Sequence, residues 1–152
     1  MRLSVAAAFA LTAAPSLHAQ TAGPDLSTAA PVAGNWSFAQ TSDGSEATFG
    51  TASSLPQLTI HCTKATRRVT IWRPASAAAP FLNVWTSTQS RQLPASYNPA
   101  TGRISADVAA FDTLLDGIAF SRGRFGVAVP NAPALVVPAW AEPARVAEDC
   151  RT

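Results

Sequence analysis

Large apolar side chains alternate with small or polar ones in several short segments of the chain. The first such segment, 36–40, precedes the dipeptide Asp43-Gly44, which is typical of tight turns, and the alternation resumes at 47–49. A second pair of alternating runs lies within 57–73, on either side of a short polar stretch. The pattern predicts two antiparallel hairpins.

Further apolar runs at 81–87, 124–129 and 135–137 predict three more strands. Prolines and turn-forming pairs such as Asn-Pro and Thr-Gly are concentrated in 88–103, which predicts a surface loop there. A loop of this length is uncommon, so it leaves room for a further strand.

Two segments have helical patterns. The first carries apolar residues at spacings of three and four: Phe111, Leu114, Leu115 and Ile118. Asp107 or Asp112 would cap this helix, which is expected to end near Phe120. Pro143 suits the first turn of a second short helix or turn at 144–150. The fold class that follows is all-β or β-rich α+β: a small antiparallel sandwich or half-barrel with one or two short helices and one disulfide.

The first nineteen residues have the features of a signal peptide. Arg2 supplies a positive charge, an apolar run follows at 5–14, and the triplet 17–19 offers a cleavage site. The alternative is an N-terminal helix that is retained in the fold. The next segment, 20–33, is rich in Ala, Pro, Thr and Ser without periodicity and is predicted to be a flexible leader.

A single β-rich domain is therefore expected at 34–152. No stretch beyond the signal approaches the roughly 20 apolar residues that a membrane span needs, so we expect no transmembrane anchor and a periplasmic or secreted location. The chain has 152 residues and a formal net charge of +2, which falls to +1 when Arg2 is removed with the signal. A charge this close to zero argues against a nucleic-acid partner.

Cys62 and Cys150 are the two cysteines of the chain. An even number in an exported protein predicts a disulfide bond, and the loop of about 88 residues that it closes would stabilise the fold by roughly 4 to 5 kcal/mol. A redox pair would call for Cys-x-x-Cys spacing, and a metal site for more than one histidine. We expect neither a metal nor a cofactor.

His61 is the one histidine that follows the signal, which excludes catalytic or metal sites built from two imidazoles. Alternation places His61 on the face opposite Cys62, and Trp72 falls on the same side of the second hairpin. The two side chains could form a ligand-binding shelf. The alternative is that a helix or a second sheet covers this face and Trp72 is simply packed.

Arg122 and Arg124 flank Gly123 directly after the first predicted helix. Two guanidinium groups and a turn of backbone N–H groups suit a carboxylate or phosphate. The alternative is an ordinary helix C-terminus, in which the arginines pair with acidic residues: Asp116, Glu148 or Asp149.

Carboxylates offer a third, catalytic possibility. Asp107 or Asp112 together with His61 could serve a hydrolase, and Asp112 and Asp116 would share one helix face. The same spacing is typical of a capped, solvated helix. The four tryptophans, Trp36, Trp72, Trp85 and Trp140, are spread over different segments and are interpreted as core anchors.

Five stretches carry a resemblance to known proteins: Gly34-Asn35-Trp36, Leu58-Thr59-Ile60-His61-Cys62, Ser121-Arg122-Gly123-Arg124-Phe125, Pro138-Ala139-Trp140 and Arg145-Val146-Ala147-Glu148-Asp149-Cys150-Arg151. They resemble exported proteins of alphaproteobacteria, of the sphingomonad type. The layout of strands, helix and late cysteine is similar to the invasion-associated locus B family of periplasmic β-sandwiches, which usually carries more cysteines. Neither resemblance implies an activity.

We therefore expect an exported, non-enzymatic binding or structural module of the bacterial envelope, with an envelope protein or glycan as its partner. The candidate binding residues are Arg122, Arg124, His61 and Trp72, and no catalytic residue is assigned. The alternatives are an inhibitor or accessory factor of an envelope enzyme, and a carboxylate-based hydrolase. The sequence leaves the oligomeric state open.

Overall fold

The computed structural model describes residues 23–130 and 132–152, so the proposed signal peptide lies outside the described residues. The described chain forms two antiparallel sheets and two α-helices, which confirms the predicted β-rich class. The strands are β1 (Asn35–Gln40), β2 (Gly44–Gly50), β3 (Leu58–Thr63), β4 (Arg68–Pro74), β5 (Phe81–Trp85), β6 (Ser90–Pro94), β7 (Ser96–Asn98), β8 (Arg103–Ala109), β9 (Arg124–Ala128) and β10 (Leu135–Pro138). The helices are α1 (Thr113–Ala119) and α2 (Ala141–Arg151).

Sheet A has six strands in the order β1-β2-β3-β4-β8-β7, and sheet B has four in the order β10-β9-β5-β6. Both predicted hairpins are present. The first pairs Trp36 with Phe49, and the second pairs Ile60 with Ile71. Antiparallel pairing of β2 with β3 joins the two hairpins into one sheet.

Strands β5, β9 and β10 of sheet B are buried at consecutive positions, whereas the buried apolar side chains of sheet A occupy alternate positions and form one apolar face. This face packs against the inner face of sheet B. These faces share one core, in which the Trp36 ring lies 5.3 Å from Phe49 of sheet A and 6.1 Å from Phe125 of sheet B. Arg73 also crosses between the sheets, since its Nη1 donates a hydrogen bond of 2.7 Å to the Val127 carbonyl. Burial lowers the pKa of the Arg73 guanidinium.

The helices close the rest of the core. Asp112 begins α1, and its carboxylate accepts a hydrogen bond of 2.8 Å from the Leu114 N–H. Helix α2 packs on β2 and β3, and Cys150 on it is bonded to Cys62 on β3 across a sequence separation of 88 residues. The predicted disulfide is confirmed.

The structure corrects the sequence prediction in one segment and decides between the two predicted caps of the first helix. The segment 88–103, predicted as a loop, contains the edge strands β6 and β7. Each is short and buries little: Leu93 is the buried residue of β6, so the segment has almost no alternation to recognise. Of the two residues predicted to cap the first helix, Asp112 is the cap and Asp107 is not, because Asp107 lies in β8 with its side chain on the exposed face of sheet A.

Residues 23–33 cross the outer face of sheet B, and we call this segment the strap. Its Val32 N–H donates to the Val136 carbonyl of β10 at 2.9 Å, and its Ala29 carbonyl accepts a hydrogen bond from Arg124 Nη1. These contacts attach the described part of the predicted leader, 20–33, to sheet B. Among the described residues, no helix has the length and hydropathy needed to cross a membrane.

Candidate functional site

A cleft of about 550 Å³ lies between the strap and the outer face of sheet B, and we call it the strap cleft. Arg122 and Arg124, which the sequence analysis proposed as an anion site, both line it. The other lining residues are Pro24, Asp25, Leu26, Ser27, Trp85, Thr86 and Ser87. The structure therefore brings the two arginines together with an indole ring, hydroxyl groups and one carboxylate.

The strap lies close to sheet B because a glycine stands at each of two contacts, Gly23 in the strap and Gly126 in the sheet. A Cβ at Gly23 would stand 2.0 Å from Trp85 Nε1, so the strap backbone rests directly on the indole ring. A Cβ at Gly126 of β9 would stand 3.1 Å from Pro24 Cγ. Glycine inside a strand often marks a close approach of another backbone, and Gly126 is such a position.

A network of serines holds the turn that carries the arginines. The Ser87 N–H donates to Ser121 Oγ at 2.9 Å, and the Arg122 N–H donates to Ser87 Oγ at 3.1 Å. Gly123 takes the left-handed conformation with φ of 75°. The turn after α1 is therefore tied to the end of β5, beside Trp85.

The two arginines have different surroundings. Arg122 is exposed and makes no ion pair within the described part of the chain. Arg124 is half-buried and binds the strap through Nη1, while its Nε is buried without a hydrogen-bond partner. The alternative pairing with Asp116, Glu148 or Asp149 is not observed, because Asp116 pairs with Arg151 at 2.8 Å and Asp149 accepts a hydrogen bond from Gln40.

Asp25 supplies the carboxylate of the strap cleft. It accepts hydrogen bonds from the Ser27 N–H at 2.9 Å, from Ser27 Oγ at 2.6 Å and from Thr28 Oγ1 at 3.0 Å. The side-chain and backbone bonds from Ser27, followed by the bond from Thr28, lower the pKa of Asp25. The carboxylate is thus bound within the strap itself, where it fixes a tight turn.

A second hollow of about 400 Å³ borders the strap cleft, and we call it the apolar lobe. It shares Pro24 and Trp85 with the strap cleft. Its remaining lining is mostly small and apolar: Gly23, Ala29, Asn83, Ala128, Val129, Ala132, Pro133, Ala134 and Val136. Trp85 therefore stands between a charged hollow and an apolar one.

His61 and Trp72, the other predicted binding residues, lie together on the outer face of sheet A. His61 Nε2 is 3.1 Å from Asp43 Oδ2, and His61 Nδ1 is 3.5 Å from Glu46 Oε2. A hydrogen bond from Thr41, and then one from His61, lowers the pKa of Asp43. Two carboxylates thus face both ring nitrogens of His61, which leaves the imidazole little room to bind a ligand.

Trp72 is also engaged, because the guanidinium of Arg103 lies 3.9 Å from its ring centroid. The structure does not bring this shelf close to the arginines, since Trp72 lies on the outer face of sheet A and Arg122 lies beside sheet B. The predicted site residues therefore form two separate groups.

The carboxylates proposed for a hydrolase are dispersed. Asp107 stands two strands from His61, with Thr70 between them, and Thr70 Oγ1 donates to Asp107 at 2.5 Å. Asp112 caps α1 and binds Arg91, and Asp116 binds Arg151. Among the described residues, no group of three or more His, Cys, Asp or Glu side chains is placed to hold a metal ion.

The prediction that all four tryptophans are core anchors was wrong for three of them. Trp36 is buried, but Trp72 and Trp85 lie half-buried on the outer faces of the sheets and Trp140 is 44% exposed. Trp85 was not among the binding residues predicted from the sequence. The glycine in β9 was the signal that could have indicated a covered outer face there.

The strap cleft is the arrangement best suited to binding. Guanidinium groups bind carboxylate and phosphate oxygens through two parallel N–H donors, and an indole ring offers an apolar surface beside them. Comparison of the chain with protein-family models, with curated proteins and with solved structures found no match.

Proposed function

We propose that this protein is an exported, non-enzymatic binding module of the bacterial envelope, and that it holds an anionic ligand in the strap cleft. The observation that carries the proposal is the placement of Arg122 and Arg124 in one cleft with Trp85. Arg122 is available to the ligand, because it has no ion-pair partner among the described residues. The site residues of the proposal are accordingly Arg122, Arg124 and Trp85.

Export is the second part of the proposal. Residues 1–19 have the pattern of a signal peptide, and the Cys62–Cys150 bond is typical of oxidising compartments such as the periplasm. The resemblance to exported alphaproteobacterial proteins points the same way. Mass spectrometry of the protein from the envelope fraction of an expressing bacterium would give a chain that begins at or within two residues of Gln20; an intact Met1 would contradict export.

The binding claim is tested by titrating this exported protein with acetate and with phosphate, followed by NMR of its backbone and indole N–H groups. We expect the Arg122 N–H and the Trp85 indole N–H to shift together and to saturate, because both groups line the strap cleft. Arg122→Gln should abolish these shifts, since it removes the exposed guanidinium and keeps the side chain polar.

Arg68→Gln is the matched control, because Arg68 is an exposed arginine on β4, in sheet A. It should leave the titration unchanged. Shifts spread evenly over the exposed arginines, or shifts that persist in Arg122→Gln, would reject the strap cleft as the binding site.

A second candidate function is an inhibitor or accessory factor that contacts an envelope enzyme. The observation that favours it is the exposure of two large side chains, Phe120 at 79% and Trp140 at 44%. Both lie near the arginine turn, because the Ala139 N–H donates to the Gly123 carbonyl at 3.1 Å. A partner bound through Phe120 and Trp140 would be retained by Arg122→Gln, and this separates the second candidate from the first.

A further inference from the structure

The strap cleft and the apolar lobe are two halves of one groove, since Pro24 and Trp85 line both. We infer that this groove binds an amphiphile with one anionic head group and an apolar tail, with the tail lying across the Trp85 ring where Gly23 now rests. The inference rests on the proposed function, because it keeps Arg122 as the ligand of the head group. It adds the chemical class of the molecule that is bound.

The charge of the strap cleft suits a single anion. Two guanidinium groups face one carboxylate there, and that carboxylate, Asp25, is already occupied by Ser27 and Thr28. Arg122 is exposed, and Arg124 has a buried Nε without a partner. A carboxylate or phosphate would offset the excess positive charge and accept hydrogen bonds from the exposed Arg122 guanidinium.

The apolar lobe suits a tail rather than a second polar group. Alanine and valine side chains make up its walls, among them Ala29, Ala128 and Val136. Its volume of about 400 Å³ lies in the range of pockets that hold small ligands. The buried amide of Asn83 is a hydrogen-bond partner for a hydroxyl or amide group carried by the tail.

Among the described residues, Gly23 of the strap lies on the Trp85 ring, where the two halves of the groove meet. The contact at Gly23 is so close that a Cβ there would stand 2.0 Å from Trp85 Nε1. A tail that passes from one lobe to the other must take this place on the ring. The start of the strap and the tail therefore compete for the indole, and lifting the strap should raise the affinity for the amphiphile.

The test is a calorimetric titration of the exported protein with acetate, octanoate and dodecanoate, each below the concentration at which it forms micelles. Because a fully buried methylene raises affinity up to about fourfold, we expect dodecanoate to bind at least about tenfold more tightly than octanoate. Arg122→Gln should weaken dodecanoate binding about tenfold or more, and Arg68→Gln should leave it unchanged.

Two further variants probe the groove itself. Gly23→Ala should raise the affinity for dodecanoate about threefold or more, because the methyl group of the alanine lifts the strap from Trp85. If the substitution only damaged the fold, the affinity for dodecanoate would fall instead. Ala134→Phe should lower dodecanoate binding without changing acetate binding, because the ring fills the apolar lobe. Thermal unfolding and an intact Cys62–Cys150 bond establish that each variant is folded.

The outcomes separate the two claims. If acetate binding depends on Arg122 but dodecanoate binds no more tightly than acetate, the proposal of an amphiphilic ligand is wrong and the proposed anion site is retained. If the binding of no anion depends on Arg122, the anion site and the amphiphilic ligand are both wrong. Equal binding of dodecyl maltoside, which has no charge, would overturn the head-group assignment. Binding to phosphatidylglycerol vesicles without binding of monomeric dodecanoate would contradict the claim that the groove binds a single amphiphile molecule.

Discussion

Asp112 makes two interactions at the start of α1. Its Oδ1 accepts the hydrogen bond from the Leu114 N–H and also binds Nη1 of Arg91 on β6. The first interaction satisfies one of the free N–H groups of the helix, and the second ties the helix to an edge strand of sheet B. The pair is partly exposed, so solvent weakens the charge–charge attraction and the cap is expected to dominate.

Asp112→Ala should lower the free energy of unfolding by about 1 to 2 kcal/mol, because it removes the cap. Asp112→Asn should lower it by less than half as much, since asparagine caps a helix about as well as aspartate and only the charge is lost. Denaturation in urea, monitored by tryptophan fluorescence, measures both. Equal losses in the two variants would show that the bond to Arg91, and not the cap, stabilises this end of α1.

For individual residues, the sequence predicted the burial of some apolar side chains correctly and of others wrongly. Cys62, Ile60 and Leu58 alternate, and this places all three in the core as expected. Trp85 has the same apolar character, but it follows Val84 and therefore faces outward, where the strap covers it. Hydrophobicity identifies a side chain that avoids water, and it does not indicate which element covers that side chain.

At the scale of elements, the strap replaces a second layer on the outer face of sheet B. It has no regular secondary structure, and it is held by single hydrogen bonds to β9 and β10 and by the packing of Pro24 on Gly126. Segments with few backbone hydrogen bonds open more easily than the strands below them. The strap is therefore expected to be the part of the described chain that detaches first from sheet B.

Gly126→Val should detach the strap while the sheets remain folded. The new side chain would collide with Pro24, because even a Cβ at this position stands 3.1 Å from Pro24 Cγ. Hydrogen exchange at the Val32 amide, which bonds to Val136, should become faster, and exchange at the Ile60 and Ile71 amides of sheet A should not change. An unchanged rate at Val32 would mean that the strap does not depend on this contact.

The elements differ in how far the sequence could predict them. The two hairpins were predicted because each has a marked turn and strict alternation on both sides. Strands β6 and β7 were not, because an edge strand needs few buried side chains. In β6 only Leu93 is buried, where it pairs with Leu82, and no residue of β7 is fully buried. The cleft was missed for a similar reason: the strap has no periodicity, and its place depends on Gly126, which is distant along the chain.

At the scale of the whole molecule, the Cys62–Cys150 bond connects a central strand of sheet A to α2. It closes a loop of 88 residues that contains all four strands of sheet B and three of the six strands of sheet A. The chain-entropy model assigns roughly 4 to 5 kcal/mol to a loop of this length, which is similar to the net stability of many small domains.

Replacing both cysteines by serine should therefore lower the free energy of unfolding by about 4 kcal/mol, measured by denaturation in urea. Reduction of the native protein with dithiothreitol is the control, because it breaks the same bond without changing the sequence. The two losses should agree within about 1 kcal/mol. A loss below about 1 kcal/mol in both would show that packing of α2 alone holds the sheets together.

The same bond also reports on the pairing of sheet A. During synthesis Cys62 precedes its partner by 88 residues, and all ten strands come before α2, which carries Cys150. The bond therefore has no part in guiding the strands as they emerge. If β3 paired one residue out of register, every side chain on it would change face and Cys62 would point away from α2. A sheet with this one-residue slip would keep the thiol away from Cys150, so formation of the bond selects against that register.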